Sequence, residues 1–525
     1  MQHDPRIELT DANDLVSMFH QTCATYADKP AFSALGITLS FKEFEQHTQN
    51  LAAYLKSTGL QPGDRIGLCL PNLLQFPIAA FAALQAGLVL VNTNPLYSAR
   101  EMRHQWSDSG IKALVVLDTL AEQVGSILDD TDIKTVITTA ATDFHQPSAT
   151  NDQLPCSIRF MDALTQGASL ARNPVTLTGL DLAALQYTGG TTGIAKGAML
   201  SHANLLANAH QVVARLGDTC RPGEEIFVVP LPLYHIYAFT VNLIVFFARG
   251  SHNVLIPNPR DLPGFVEQIK PFKFTGMAGL NTLFIGLCRL DSFKALDTSA
   301  LKLTISGGTA LTKGAAEIWQ QTTGCTVSEG YGLSETSPVV CLNPVGQEKL
   351  GSIGLPLNDT EVKLVDDLDN DLPKGATGEL CIRGPQVMQG YWQQPEETDN
   401  VMLDGGWLKT GDIATIDDAG FVSIVDRKKD LIIVSGQNVY PNEIEEVLGL
   451  YPGIIEAAVV GEPDAVSGEK VLAYVVAEQE LDVAAIKAFC RERLVRYKIP
   501  RKLIAVEALP KSAVGKILRR ALRAQ

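Results

Sequence analysis

An α/β protein is expected from this sequence: a large N-terminal domain of mixed sheets covered by helices, then a small α+β domain. Apolar, strand-like runs alternate with amphipathic helical patterns through roughly the first 400 residues, as sheets layered with helices require. The texture then tightens near residue 426, where DRKKD sets three cations between two aspartates. The chain has 525 residues, too many for one simple core, and its 46% hydrophobic and 19% charged residues are those of a soluble globular protein.

In chain order, the expected strands are RIGLCL (65–70), KALVVLD (112–118), KTVITT (134–139), IFVVPLP (226–232), HNVLIP (252–257) and LKLTISGG (301–308). Between them, 41–58 and 262–270 carry the apolar spacing of amphipathic helices. Two longer apolar stretches approach the composition of a membrane span. The first, 76–91, falls short of the ~20 residues a span needs, and the second, 226–248, carries Pro230, Pro232, His235 and Asn242. Both are expected in the core. Residues 408–426 read as a small antiparallel sheet turning at 417–420, and the last ~100 residues as alternating short strands and helices. The expected domains are 1–426 and 427–525, with a polar hinge near 426–430.

A net charge of −15 disfavours nucleic acid as a partner, because phosphate is repelled by an acidic surface. Nine cysteines occur without a CxxC pair, which fits reduced thiols in the cytoplasm. The opening MQHDPRIELTD has neither a basic segment nor an apolar one, so no secretory signal is expected.

The most specific string is YTGGTTGIAKGAMLSH, 187–202. Its glycines allow close backbone approach. Thr188, Thr191 and Thr192 add hydroxyls, Lys196 adds a charge, and the apolar run after it reads as a helix start. Such a loop suits polyphosphate. It is not a Walker A loop, since Lys196 stands between Ala195 and Gly197. A second string, EGYGLSETSP (329–338), offers a ring at Tyr331, a hydroxyl at Ser334 and a carboxylate at Glu335 that could hold magnesium. It is no G-x-S-x-G elbow, because Thr336 stands where glycine is required. LKTGDIA (408–414) places Asp412 after a Thr-Gly turn, where it could hold a ribose diol or simply cap a hairpin. PKSAVGKILRR (510–520) sets Lys516 on a flexible glycine, and five Lys or Arg lie between 511 and 523; alone this also reads as a solvated basic tail. In VSGQNVYPNEIE (434–445), Gly436 permits close approach of an extended chain.

These strings, in this order, resemble the acyl-adenylate-forming superfamily, and most closely its bacterial long-chain fatty acid–CoA ligases. VNTNPLYSARE (91–101), GSIGLPLNDTEVKLVDD (351–367), GELCIRGPQVMQGYW (378–392) and IVDRKKDLIIVSG (424–436) support the closer likeness, which runs from residue 39 to Lys516. The resemblance implies a small β-barrel-like subdomain within the large domain and a mobile C-terminal domain. It implies that Tyr187, Thr188, Gly189, Gly190, Thr191, Thr192, Gly193 and Lys196 grip ATP phosphates. It places adenine and the α-phosphate against Gly308, Gly330, Tyr331, Gly332 and Ser334, magnesium on Glu335, and ribose on Asp412 with Arg427. Lys516 would bridge the carboxylate and the α-phosphate, Lys429 would be the hinge, and Gly436, Gln437 and Asn438 would line the CoA tunnel. The familiar ligases have Phe where Gln437 stands, which leaves the tunnel's shape open. His235, Tyr237, Met277 and Gly279 fall on the acyl pocket, where the small residues Gly276, Ala278 and Gly279 would leave a long slot for a hydrocarbon tail.

The implied activity is ATP-dependent conversion of a fatty acid to acyl-AMP and then to acyl-CoA, with Mg²⁺, ATP and CoA as cofactor and co-substrates. The alternative is a protein loading a separate carrier; an oxygenase of the luciferase type and a non-enzymatic nucleotide sensor are weaker rivals. The expected location is the cytoplasm. Acyl chain length, peripheral association with the membrane face and a homodimer are left open by the sequence.

Overall fold

A computed structural model describes residues 12–146, 154, 157–188, 195–464, 466–511 and 517–523. The chain packs into two units. One is Met1–Thr360 with Arg383–Val401, and the other is Glu361–Ile382 with Met402–Gln525.

The first unit is built on two sheets. A seven-stranded sheet runs in the order Ser157–Arg159, Thr135–Thr139, Ile111–Leu117, Arg65–Cys69, Val89–Asn92, Leu182–Thr188, Lys196–Ser201. All its neighbours are parallel except the last pair. A nine-stranded sheet runs Leu355–Pro356, Val339–Leu342, Val327–Gly332, Leu303–Ser306, Gly276–Gly279, Ile226–Val229, His252–Leu255, Pro30–Ala34, Ile37–Ser40. Its interior is parallel and both its ends are antiparallel. Buried parallel strands need apolar residues on both faces, which is why these segments stand out in the sequence as continuous Val, Ile and Leu runs.

Helix Phe41–Ser57 begins where its composition says it should. Ser40 accepts from the Glu43 amide at 3.2 Å, and Glu43 accepts from the Ser40 amide at 2.9 Å, a reciprocal capping box. Its Phe44 packs with Phe19, Phe32, Phe81 and Phe247. The two long apolar stretches lie in the core as expected: Gln75–Gln85 is a helix with every residue to Leu84 buried, and 226–248 contains a buried strand and the buried π-helix Phe239–Phe246. Among the described residues, no helix is long and apolar enough to cross a membrane.

The second unit holds a five-stranded sheet from Glu361–Val365, Thr377–Arg383, Met402–Leu403, Trp407–Ile416 and Val422–Arg427. Residues 361–382 and 402–426, assigned from sequence to the large domain, thus pack in one unit with the C-terminal residues. The turn expected at 417–420 is present, with the Asp417 amide donating to the Phe421 carbonyl at 3.1 Å. A further sheet of Gln437–Val439, Ile432–Val434, Gly468–Ala477, Ile454–Asp464 and Lys502–Ala505 carries the helices Pro441–Gly449 and Val483–Arg491. Its core includes Ile432, Val439, Ile444, Leu448, Val459 and Ile486.

Candidate active site

The glycine-rich string is the loop of a hairpin. Thr188 ends one strand and Lys196 opens the next, directly opposite it in the ladder. Gly189, Gly190, Thr191, Thr192 and Gly193 lie outside the described residues, as does Lys516. The helix start expected after Lys196 is instead the strand Lys196–Ser201, and the helix begins at His202 with Ser201 as its cap. Pairing outweighs local composition here. Besides its ladder with Leu182–Thr188, the strand takes a second neighbour: the Met199 amide donates to Gly390 at 2.9 Å, and the Gln389 and Trp392 amides donate to Met199 and Gly197 at 3.0 and 2.8 Å.

Tyr187 turns its side chain into the core, where it packs with the cluster around Trp106 and Leu114 and donates its hydroxyl to Asp108. Burial, followed by that carboxylate, pushes its phenol far above the ordinary range. Its side chain therefore anchors the hairpin, and the strand end it carries leads to the loop.

The second string is held by backbone geometry. Val327–Gly332 is hydrogen-bonded on both sides, to Leu303–Ser306 and to Val339–Leu342. Gly332 passes so close to the following turn that a Cβ there would lie 1.9 Å from the Pro338 carbonyl. Gly330 faces Leu342 and the Cys341 carbonyl, at 3.1 and 3.3 Å from such a Cβ, and Gly308 sits at φ +81° with open space beside it. Ser334 and Glu335 form a short 3-10 turn after the strand, and the Thr336 hydroxyl donates to Pro338 at 2.5 Å. Glu329, one side chain back in the same strand, is buried and accepts the Leu311 amide at 2.9 Å. Burial pushes its carboxyl up to about 7, against the opposing Leu311 hydrogen bond.

Glu335 and Lys196, far apart in sequence, meet through Tyr391. The Tyr391 hydroxyl donates to Glu335 Oε1 at 2.8 Å, Lys196 Nζ lies 5.2 Å from the Tyr391 ring centroid, and the same ammonium pairs with Glu397. Burial, then the Glu335 charge, raises the Tyr391 phenol well above its usual range, so it stays a donor at neutral pH. In the sequence, the run 378–392 that holds Tyr391 supports only the family likeness, and Glu397 stands outside every motif. The one available signal was an aromatic pair directly after Gly390. A half-buried carboxylate such as Glu335 suits magnesium, which binds through one or two carboxylates and takes its other ligands from phosphates and water. Among the described residues, no group of three or more His, Cys, Asp and Glu side chains forms a protein cage for a metal.

On the expected acyl side, the His235 ring accepts from the Tyr237 amide at 3.3 Å, and the Tyr237 hydroxyl donates to the Ile305 carbonyl at 3.3 Å. A Cβ on Gly307 would meet the Tyr237 ring at 3.2 Å and the Gly330 carbonyl at 3.3 Å. The structure thus brings His235 and Tyr237 to the turn beside Gly308 and Gly330. Met277 lies instead in the core cluster with Phe284 and Trp319. At two of the small residues the space that a side chain would take is occupied by rings. A Cβ would strike Phe227 at 2.1 Å from Gly276 and Phe284 at 2.6 Å from Gly279, so these glycines make room for rings.

In the second unit, Asp412 and Arg427 face each other across two strands and pair at 3.3 Å. Asp412 is nearly buried, and its amide is held by the Thr410 hydroxyl at 3.0 Å. Partial desolvation, then the Arg427 charge, pushes the Lys429 ammonium down to about 8. Ser435 and Gly436, at φ +52° and +77°, form a two-residue hairpin turn whose twist needs positive φ at both positions. Gln437 and Asn438 follow it, exposed.

A twisted α/β unit with a glycine-rich hairpin loop, a neighbouring carboxylate and a small α+β unit defines a nucleotide-dependent enzyme of the acyl-adenylate-forming kind. Residues 19–392 match the AMP-binding enzyme family and 443–516 its C-terminal domain, and the chain belongs to that family. It is 47% identical to a long-chain-fatty-acid–CoA ligase of Escherichia coli O6:H1, covering 97% of this chain and 94% of the relative. It is 36% identical to one of Bacillus subtilis, over 97% and 94%. Among solved structures, ATP-bound MatB from Rhodopseudomonas palustris matches with TM-score 0.86 and 29% identity, over 97% and 98% of the two chains. The anthranilate CoA ligase AuaEII with anthranoyl-AMP matches with TM-score 0.89 and 25% identity, over 99% and 98%. The resemblance drawn from the motifs is borne out.

Proposed function

We propose that this protein activates a fatty acid with ATP as acyl-AMP and transfers the acyl group to CoA, releasing AMP and pyrophosphate. The observation that carries the reading is the gathering of Lys196, Tyr391 and Glu335 beside the glycine-rich hairpin. It occurs in a chain 47% identical along nearly its whole length to a long-chain-fatty-acid–CoA ligase.

In the first step the fatty carboxylate attacks the α-phosphorus and the bond to pyrophosphate breaks. Two anions approach each other, so positioned cations lower the barrier. Lys196 and the loop before it hold the departing pyrophosphate. Tyr331 stacks on adenine, Ser334 donates to the α-phosphate, and Asp412 with Arg427 takes the ribose hydroxyls. Magnesium on Glu335 would supply charge neutralisation to the phosphates. Lys516 bridges the attacking carboxylate and the α-phosphate. In the second step the CoA sulfur attacks the acyl carbonyl and AMP leaves with the bonding pair. Gly436, Gln437 and Asn438 line the approach of the thiol arm, and Lys429 is the pivot between the two steps, with the two functional domains meeting at 426–430. His235 and Tyr237 border the acyl chain. The enzyme works in the cytoplasm.

The test is CoA- and ATP-dependent AMP release across carboxylic acids from two to eighteen carbons, with native protein and Lys516→Ala. Native protein should require CoA for turnover and prefer medium or long chains. Lys516→Ala should lose acyl-AMP formation and keep thioester formation from supplied acyl-AMP. AMP release that ignores CoA and needs a carrier protein would favour the carrier-loading alternative. Equal loss of both steps would contradict the role of Lys516.

A further inference from the structure

Tyr391 is held from every direction that matters to the phosphate end of the site. Its backbone is fixed beside the hairpin strand through the bonds of residues 389, 390 and 392 to Gly197 and Met199, and the Met388 amide donates to the Glu335 carbonyl at 2.8 Å. Gly390, just before it, lies at φ +136°, and a Cβ there would come 2.9 Å from Thr398 and 3.5 Å from Met199. The ring cannot shift without moving the strand that opens with Lys196.

A phenol has one proton to give. Here it goes to Glu335 Oε1, which engages one carboxylate oxygen and leaves Oε2 accepting no hydrogen bond among the described residues. The face of the same ring is negative and attracts the Lys196 ammonium. One side chain therefore orders an anion at its edge and, together with Glu397, a cation over its face. Packing alone would need neither the hydroxyl nor its direction.

We propose that Tyr391 is a positioning residue for adenylation: its hydroxyl aims Glu335 at the cation accompanying ATP, and its ring holds Lys196 ready for the phosphates. This rests on the reading of Glu335 as the magnesium-binding carboxylate. A partner one bond removed from a metal ligand typically sets metal affinity by about tenfold or more, so the effect is measurable without turnover.

The experiment is calorimetric binding of ATP to the full chain across a series of Mg²⁺ concentrations, without fatty acid or CoA. It uses native protein, Tyr391→Phe, Tyr391→Leu, Glu335→Gln and the Tyr391→Phe/Glu335→Gln double variant, all well below their melting midpoints. Tyr391→Phe should raise the Mg²⁺ needed for half-maximal ATP binding by about tenfold, leaving affinity at saturating Mg²⁺ and the melting midpoint close to native. Tyr391→Leu should also weaken ATP at saturating Mg²⁺, because Lys196 loses the ring. The double variant should need no more Mg²⁺ than Glu335→Gln alone, since residues acting through one group do not add. A native Mg²⁺ response in Tyr391→Phe, with a shifted one in Glu335→Gln, overturns the inference and leaves the reading of Glu335 standing. Additive shifts in the double variant overturn it too. A native response in Glu335→Gln removes the reading of Glu335 itself, and the inference with it.

Discussion

The two units solve the same problem, holding charged groups in place, by opposite means. Around Glu335 the first unit uses neutral scaffolding: a strand bonded on both sides, a glycine at 332 that admits no side chain, and a phenol as the carboxylate's partner. Around Arg519 the second unit uses charge against charge. Arg519 pairs with Glu445 at 2.8 Å and Asp430 at 3.4 Å, and donates to Asn442 at 2.6 Å, while Arg523 pairs with Asp430 at 3.3 Å. The Asn442 amide in turn donates to Asp426 at 2.8 Å. Burial alone would lower the Arg519 guanidinium, but the Glu445 charge and its neighbours outweigh that and raise it. A neutral scaffold leaves Glu335 available to a ligand. A closed ionic cluster uses up its charges internally, tying residues 426–430, the helix Pro441–Gly449 and the segment after Lys516 into one piece.

The contrast can be broken most severely at Arg519. Replacing it with Met strands Glu445, Asp426 and Asp430 without their main counter-charge, and losing one partner of a buried pair costs about 3–5 kcal/mol. Chemical denaturation should show that loss, with part of it recovered when Glu445→Met is added. An unchanged midpoint would mean the cluster is solvated and holds little. In the first unit, Gly332→Ala puts a methyl against a backbone carbonyl that cannot swing away. About 3 kcal/mol of destabilisation is expected, together with loss of ATP binding, because the strand carrying Tyr331 must move.

The smallest effect sharpens the comparison by pH. Glu329 is a carboxyl that burial in the first unit holds up to about 7 against an ordinary value of 4.5. Its folded form keeps the proton that the unfolded chain gives up, so its stabilising contribution is complete below 4.5 and is lost as pH rises through 7. Glu329→Gln keeps the acceptor for Leu311 and removes the titration. It should stabilise the protein by at most about 3 kcal/mol at pH 8 and confer almost no gain near pH 4.5. Melting curves of the two proteins at both pH values check the sign. An equal gain at both would assign the effect to something other than this proton.

Much of the fold was legible because its signals are local. Strands such as Arg65–Cys69 and Ile111–Leu117 are apolar on both faces, and the turn at 417–420 spells itself out within four residues. Where local composition competed with pairing it misled: Lys196–Ser201 reads as a helix start and is a strand, because two neighbouring segments bond to it. The small residues at Gly276 and Gly279 read as empty space, and the rings of Phe227 and Phe284 fill it. Tyr187 reads as part of a ligand loop, and its ring belongs to the core.

By itself the sequence determined which chemical groups are present and which local strings carry them: a glycine-rich loop ending in Lys196, a carboxylate at Glu335 in a glycine-punctuated string, and an aspartate at 412 after a Thr-Gly turn. Only the tertiary structure decided which of these groups meet. Tyr391 is 56 positions from Glu335 along the chain, and its only local mark is the aromatic pair after Gly390. It reaches the carboxylate because residues 389–392 bond to the strand that follows the loop, and that pairing depends on two distant segments being brought side by side, which no short window of sequence encodes.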